Sequence, residues 1–312
     1  QRQMCIRDRT TTSSMLSLVL LAAHKDPTIL IGGELSQIGG NYHIGGNEYL
    51  PFEACEYVES FLHFKPFVSI ITNIEEDHLD YFKDLNHIIT SFVKFASLTS
   101  DNGCNIVCID ENTTQSIVQN VKKKAVTYAL NNKNADYTAE NITLEKNGCP
   151  TFDIFNKDRK VLSVSLNVAG DHNICNALGV TAACEFLGIE PEYIKSGLEE
   201  FRGAKRRFDR LGKTETGVDV VDDYAHHPTE IKTTLETAKK MGYNNVWVAF
   251  QPHTYTRTAA FLEQFASALK TADRVMITDI YPAREKYDGT MHACDLARLI
   301  PGVVYMLSLI HI

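Results

Sequence analysis

Residues 67–72 (FVSIIT) carry no charge and are rich in β-branched and aromatic side chains. A run that short and apolar predicts a strand buried inside a parallel sheet. Its flanks constrain the chain further. Glu53 and Glu56 precede it, and Glu75, Glu76, Asp77, His78 and Asp80 follow it. In open α/β sheets, ligands bind beyond the carboxyl ends of the strands. The segment TNIEEDH leaves the strand at that end, where carboxylates and a neutral imidazole can hold a hard divalent ion carrying phosphates. The same acids also suit the opening of the next helix, where the dipole favours negative charge.

The rest of the chain repeats strand, polar loop and helix. Residues 10–26 read as a helix whose start is capped by the hydroxyls of Thr10, Thr11, Thr12, Ser13 and Ser14. A strand at 28–31 leads into GGELSQIGGNYHIGGNEY, whose Gly-Gly pairs either let the backbone approach a ligand or make a plain surface loop. A helix is expected from Asp80 to about residue 97, then strands at 105–109 and 125–128 around a further helix. Residues 136–167 change to alternating β segments, an antiparallel addition to the first sheet. In GDHNICNALGVTAACEFLG, Asp171 caps a helix running to about residue 186. Asn173 and Asn176 share a face near its start, suited to an adenine or ribose edge or to capping.

Residues 201–212 (FRGAKRRFDRLG) form a basic hinge with few apolar residues. Arg206 and Arg207 there are either a solvated face or a guanidinium clamp on phosphate. Strands at 218–221, 245–250 and 274–278 follow, each emitting a polar loop: DDYAHHPTE, QPHTYTRT and DIYPAREKYDGT. Helices to about 241, over 259–272 and over 294–299 separate them, with a last strand near 303. One parallel sheet would line the three loops along one edge as a substrate site.

Composition removes several classes. Lys+Arg 31 against Asp+Glu 39 leaves a net charge of −8, which argues against nucleic acid as the main partner. The longest apolar run, residues 16–23, is too short to span a bilayer, and QRQMCIRDR does not resemble a signal peptide. Cys5, Cys55, Cys104, Cys108, Cys149, Cys175, Cys184 and Cys294 form no CxxC pair and no zinc-like spacing. They are expected to be reduced thiols of a cytoplasmic protein.

Seven segments taken together, EACEY, TNIEEDHLDYF, GDHNICNA, RRF, DDYAHHPTE, FQPHTYTRT and DIYPARE, resemble the Mur ligases that build the peptide stem of peptidoglycan. The likeness runs over roughly residues 10–304, and the DDYAHHPTE and QPHTYTRT pair points to members that join L-alanine to UDP-N-acetylmuramate. The resemblance implies an α/β chain with a central P-loop-type ATPase domain at 10–204. That domain has a mostly parallel sheet and a small antiparallel addition, and a Rossmann-like amino-acid domain follows at 205–312. It also implies ATP and Mg²⁺ as cofactors and UDP-N-acetylmuramate and L-alanine as substrates, with neither nucleic acid nor membrane insertion. The muramate carboxylate would attack the γ-phosphate to give an acyl phosphate, which the alanine amine then attacks.

Carried over residue by residue, the resemblance gives Thr10, Glu53 and His78 as metal ligands. Glu53, His78, His227 and Arg257 become catalytic residues. Arg9, Thr10, Thr11, Asn173, Asn176, Arg207 and Asp223 would bind ATP, and His226, His253, Tyr281 and Arg284 the amino-acid side. The residues alone also allow His226 and His227 to do no more than shape the start of a helix. The family's phosphate loop reads GTHGKTTTSS, whereas Asp8 stands here in place of a glycine and Arg9 in place of the lysine. A carboxylate in a phosphate cradle repels its ligand. Residues 1–9, and the last six or so, change in character from the rest and are expected to be foreign sequence from a truncated reading frame. The family's UDP-sugar domain is expected to be missing ahead of this chain, its third domain cut short, and the chain inactive as written. Two other readings stand beside this one: a recycling ligase that joins a whole peptide to the same sugar nucleotide, and a non-catalytic nucleotide-binding remnant. A metal hydrolase built on His226 and His227 lacks the ligand spacing it would need. Lys94 lies off register for the carbamylated lysine of sister ligases.

Overall fold

A computed structural model describes residues 6–78, 81–287 and 289–307. Cys5, Asp80, most of the atypical leader and the last five residues lie outside the described part. The chain divides into two units, one ending at Asp222 and the other beginning at Asp223.

The first unit is built on a six-stranded sheet in sequential order: β3 (Val68–Ile71), β4 (Cys104–Cys108), β5 (Ala125–Tyr128), β6 (Tyr137–Leu144), β7 (Pro150–Asn156) and β8 (Arg159–Ser165). The first three are parallel, with Ile70 opposite Ile106 and Ile106 opposite Val126. Parallel strands need crossovers, supplied here by α2 (Leu85–Ser97) and α3 (Asn112–Asn120). β5 meets β6 through Tyr128 and Tyr137, and from there the sheet is antiparallel. The expected antiparallel addition is therefore present.

β4 shows why the sheet has two cores. All five of its residues are buried. Cys104, Ile106 and Cys108 pack with α1 (Ile6–Ala22), α4 (Asp171–Phe186) and α5 (Pro191–Glu200), while Val107 packs with Ile88 and Ala96 of α2 and Ile117 of α3. Alternate strand residues face opposite sides, so the helices form a layer on each face. Asn105, polar and fully buried, is satisfied. Its Oδ1 accepts from Ser69 Oγ at 2.6 Å and Thr99 Oγ1 at 2.8 Å, and its Nδ2 donates to the Ala96 carbonyl at 3.2 Å.

Several local expectations change. The glycine-rich stretch is not one loop: β1 (Ile29–Leu35) pairs antiparallel with β2 (Gly40–His43), and Gly39 takes the left-handed turn at φ 71°. The first helix is already formed at Ile6, so the Thr10–Ser14 hydroxyls lie in its body and not at its cap. Gly170 caps α4 and Asp171 is its first residue, while Asp84 caps α2 by accepting from the His87 N–H.

The second unit has a three-stranded parallel sheet, β11 (Trp247–Phe250), β12 (Arg274–Thr278) and β13 (Val304–Met306). Phe250, Val275 and Ile277 pack on α6 (Pro228–Lys240), α8 (Leu262–Leu269) and α9 (Ala293–Arg298) through Ile231, Leu235, Phe265, Leu269 and Leu296. The strand expected at 218–221 is β10 (Asp219–Asp222), which pairs antiparallel with β9 (Asp209–Lys213) in the first unit and not with β11. The helix expected over 259–272 is two pieces, α7 (Tyr255–Ala260) and α8, broken at Phe261 with φ −115° and ψ 26°.

Candidate functional site

Residues 49–52 run beside β1, and this delivers Glu53. The Thr28 N–H donates to the Tyr49 carbonyl at 3.0 Å and the Leu30 N–H to that of Pro51 at 3.1 Å. Glu53 then receives the Gly32 N–H on Oε1 at 2.5 Å and the Thr10 hydroxyl on Oε2 at 3.1 Å. A side chain at Gly32 would come within 2.9 Å of Glu53 Oε2 and would push that carboxylate from its place. Burial pushes the Glu53 carboxyl above the usual carboxylate range, against the opposing pull of the Gly32 N–H, Arg9, the Thr10 hydroxyl and Arg207.

Glu56, three residues further on, is the acid that meets His78. The Glu56 side chain is 2% exposed; its Oε1 lies 3.8 Å from His78 Nε2, and its Oε2 pairs with the Arg9 guanidinium. Arg9 also donates to the Ala54 carbonyl at 2.8 Å. His78 is buried at φ 52°, packs its ring 4.6 Å from that of Tyr57 and lies 4.0 Å from Asp77 Oδ2. The structure thus pairs Thr10 with Glu53 and Arg9 with Glu56 beside His78. Glu56 appeared in the sequence only among the acids ahead of the strand and was assigned no role of its own.

Asp8 accepts from Asn176 Nδ2 at 3.3 Å. Residues 6–9 continue α1 as helix. Asn173 donates to the Ala169 carbonyl at 2.7 Å, and its buried Oδ1 finds no hydrogen-bond partner among the described residues. Asn173, Thr11 and Arg207 line a cleft of about 490 Å³ together with Arg202, Lys205 and Arg210. A basic cleft with an amide acceptor on its wall suits a nucleotide.

In the second unit the loops after β11 and β12 meet at a bridge between His253 and Tyr281, whose rings lie 5.6 Å apart. His226 comes within 6.0 Å of the His253 ring, and Arg257 Nη1 within 3.5 Å of His253 Nδ1. Burial, helped by His226 and Arg257 and opposed by Glu285, lowers the His253 pKa to about 4. His226 Nδ1 lies 2.9 Å from the Tyr224 carbonyl, which makes it the protonated nitrogen; the buried Nε2 finds no hydrogen-bond partner among the described residues.

His227 stands apart, as the N-cap of α6. Its Nδ1 accepts from the Thr229 N–H at 3.4 Å, and Glu230 Oε2 accepts the N–H groups of His226 at 3.0 Å and His227 at 3.3 Å. Asp223 accepts from the Ala225 N–H at 2.8 Å and the Thr234 hydroxyl at 3.0 Å. Arg284 is exposed in the turn after Pro282. Glu285, which the sequence reading passed over, caps α7 by accepting the N–H groups of Tyr255 at 2.5 Å and Thr256 at 3.1 Å.

Comparison with known proteins agrees with this layout. Residues 9–184 match the Mur ligase middle domain, and residues 206–307 match the Mur ligase, glutamate ligase domain. The UDP-N-acetylmuramate–L-alanine ligase of Acetivibrio thermocellus is 50% identical over 292 residues, covering 94% of this chain and 62% of that protein. Its counterpart from Caldanaerobacter subterraneus subsp. tengcongensis is 45% identical over the same length, with 94% and 63% covered. The crystal structure of the Thermotoga maritima UDP-N-acetylmuramate–alanine ligase superposes with a TM-score of 0.77 at 31% identity, over 96% of this chain and 65% of that one. The chain spans less than two thirds of the length of each of these relatives. With a parallel α/β core and both domain matches in order, the chain belongs to the Mur ligase family.

Proposed function

We propose that this chain is the nucleotide- and amino-acid-handling part of a ligase that joins L-alanine to UDP-N-acetylmuramate at the expense of ATP, in peptidoglycan precursor synthesis in the cytoplasm. The observation that carries the reading is the Thr10–Glu53–Gly32 cluster. A hydroxyl and a half-buried carboxylate whose charge is disfavoured by burial are two hard oxygen donors suited to Mg²⁺. Bound there, Mg²⁺ would neutralise charge on the terminal phosphates. His78, held beside Glu56, belongs to the same acid-rich end. The basic cleft with Asn173 and Arg207 accommodates the nucleotide.

In the second unit, His226 presents Nε2 as an acceptor and His253 is neutral near pH 7. Both offer an unprotonated ring nitrogen that can accept a hydrogen bond from the amine. Arg257 beside them supplies the positive charge for a carboxylate or phosphate oxygen. The curated relatives carry the alanine-ligase name, which favours this reading over peptide recycling. The domain division near residue 204 belongs to the same proposal.

The Asp8–Asn176 contact gives the test. Titration of the chain with ADP and Mg²⁺ is expected to show weak binding, since Asp8 occupies an amide assigned to the nucleotide. The double change Asp8→Gly with Arg9→Lys should tighten binding by about tenfold or more, by removing a like charge next to phosphate. Adding Glu53→Ala should abolish the Mg²⁺ dependence. Binding unchanged by all of these substitutions overturns the reading. Phosphate release from the unaltered chain that requires both UDP-N-acetylmuramate and L-alanine would overturn its expected inactivity.

A further inference from the structure

Two cysteines 67 positions apart meet at the end of β4. Cys108 Sγ and Cys175 Sγ are 3.6 Å apart, and each lies 4.0 Å from Asp110 Oδ2. Two sulfurs bound at about 2.3 Å to one tetrahedral ion would sit about 3.8 Å apart, and a sulfur and a carboxylate oxygen about 3.6 Å apart. The three donors are thus almost spaced for such an ion before any ion arrives. Asp110 is also fixed in place: the Leu130 N–H donates to its Oδ2 at 2.8 Å, and the Asn131 and Asn132 N–H groups to its Oδ1 at 2.8 and 3.0 Å. A carboxylate has lone pairs left after those bonds. Cys108 is buried and Cys175 half-buried.

We propose that Cys108, Asp110 and Cys175 form a binding site for one thiophilic divalent metal ion of the zinc class, separate from the Glu53 cluster. Sulfur donors select soft and borderline ions over Mg²⁺, which prefers oxygen alone. On binding, two S–H bonds break, two metal–sulfur bonds form, and two protons leave to solvent. Water completes the coordination. The ion would pin the first turns of α4, one residue before Asn176, to the carboxyl end of β4.

The test is a titration of the whole reduced chain with Co²⁺, reading thiolate-to-cobalt charge-transfer absorbance. One ion per chain is expected, displaced by Zn²⁺ and accompanied by proton release. Cys175→Ser should lose the band and at least about tenfold in affinity, since even outer-shell partners are worth 10–100-fold. Asp110→Asn should keep the band and bind more weakly, with circular dichroism confirming that both variants fold. Absence of the band in the reduced parent, or a band undiminished in Cys175→Ser and Cys108→Ser alike, overturns the proposal. So does loss of two hydrogens by mass in place of metal uptake under reducing conditions.

Discussion

The two units gather opposite chemistry beside their parallel strands. In the first, carboxylates dominate, and the Arg9 guanidinium and the His78 ring both lie against Glu56. In the second, His226, His253 and Arg257 crowd together, while the nearby acids Glu230 and Glu285 are turned to backbone N–H groups. The first end thus gathers carboxylates around the Arg9 guanidinium, and the second gathers imidazoles around that of Arg257.

Removing the acid at the centre of the first group should have the largest effect. Glu56→Ala leaves Arg9 partly buried without its carboxylate, and should cost about 3 kcal/mol in urea denaturation. If Glu56→Ala and Glu56→Gln both unfold at the parent's urea concentration, the pair contributes nothing and the contrast between the units weakens. In the second unit, Glu230→Ala removes the acceptor for two N–H groups at the start of α6 and should cost about 1–2 kcal/mol.

A smaller effect depends on pH. His253 has a folded pKa of about 4, below the unfolded value near 6.5, so its contribution is present above about pH 6.5 and lost as pH falls towards 4. Because the ring is partly exposed, about 1 kcal/mol is expected. The parent should lose more stability between pH 7 and pH 4.5 than His253→Gln does; equal losses would remove His253 as the cause. The smallest change is expected at Glu53. Its raised pKa means that stability is fully present below the ordinary glutamate range and lost as pH rises through the folded value. In metal-free buffer, Glu53→Gln should match or slightly exceed the parent in melting temperature at pH 8, and lose that advantage at pH 4. Added Mg²⁺ should favour the parent.

Much of this was legible because strand signals are local. FVSIIT and the runs near 105, 125 and 274 have few alternatives, and β3, β4, β5 and β12 lie where their apolar patterns put them. The β1–β2 hairpin was hidden because Gly-Gly pairs read as loop, yet Gly39 only makes the turn between pairing strands. β10 read as part of the second sheet because its pattern cannot name its partner; the register with β9 is a tertiary choice. Phe261 interrupts a segment of good helical pattern, and its backbone angles reflect packing that composition does not encode. At the site, the spacing showed which acids were near β3 but not which would reach His78. The Cys108–Asp110–Cys175 group was invisible, since a sheet and a helix had to be assembled to bring it together.

The joint between β5 and β6 has a kinetic consequence. The two halves of the six-stranded sheet share the Tyr128–Tyr137 pairing and the Asp136 side chain, which accepts the N–H and hydroxyl of Thr127 at 2.9 Å each. On one side the strands require two helical crossovers; on the other they follow one another through tight turns. Contacts close in sequence form faster than distant ones. The β6–β8 meander should therefore gain protection from hydrogen exchange early in refolding and offer an edge on which the parallel half is then added strand by strand.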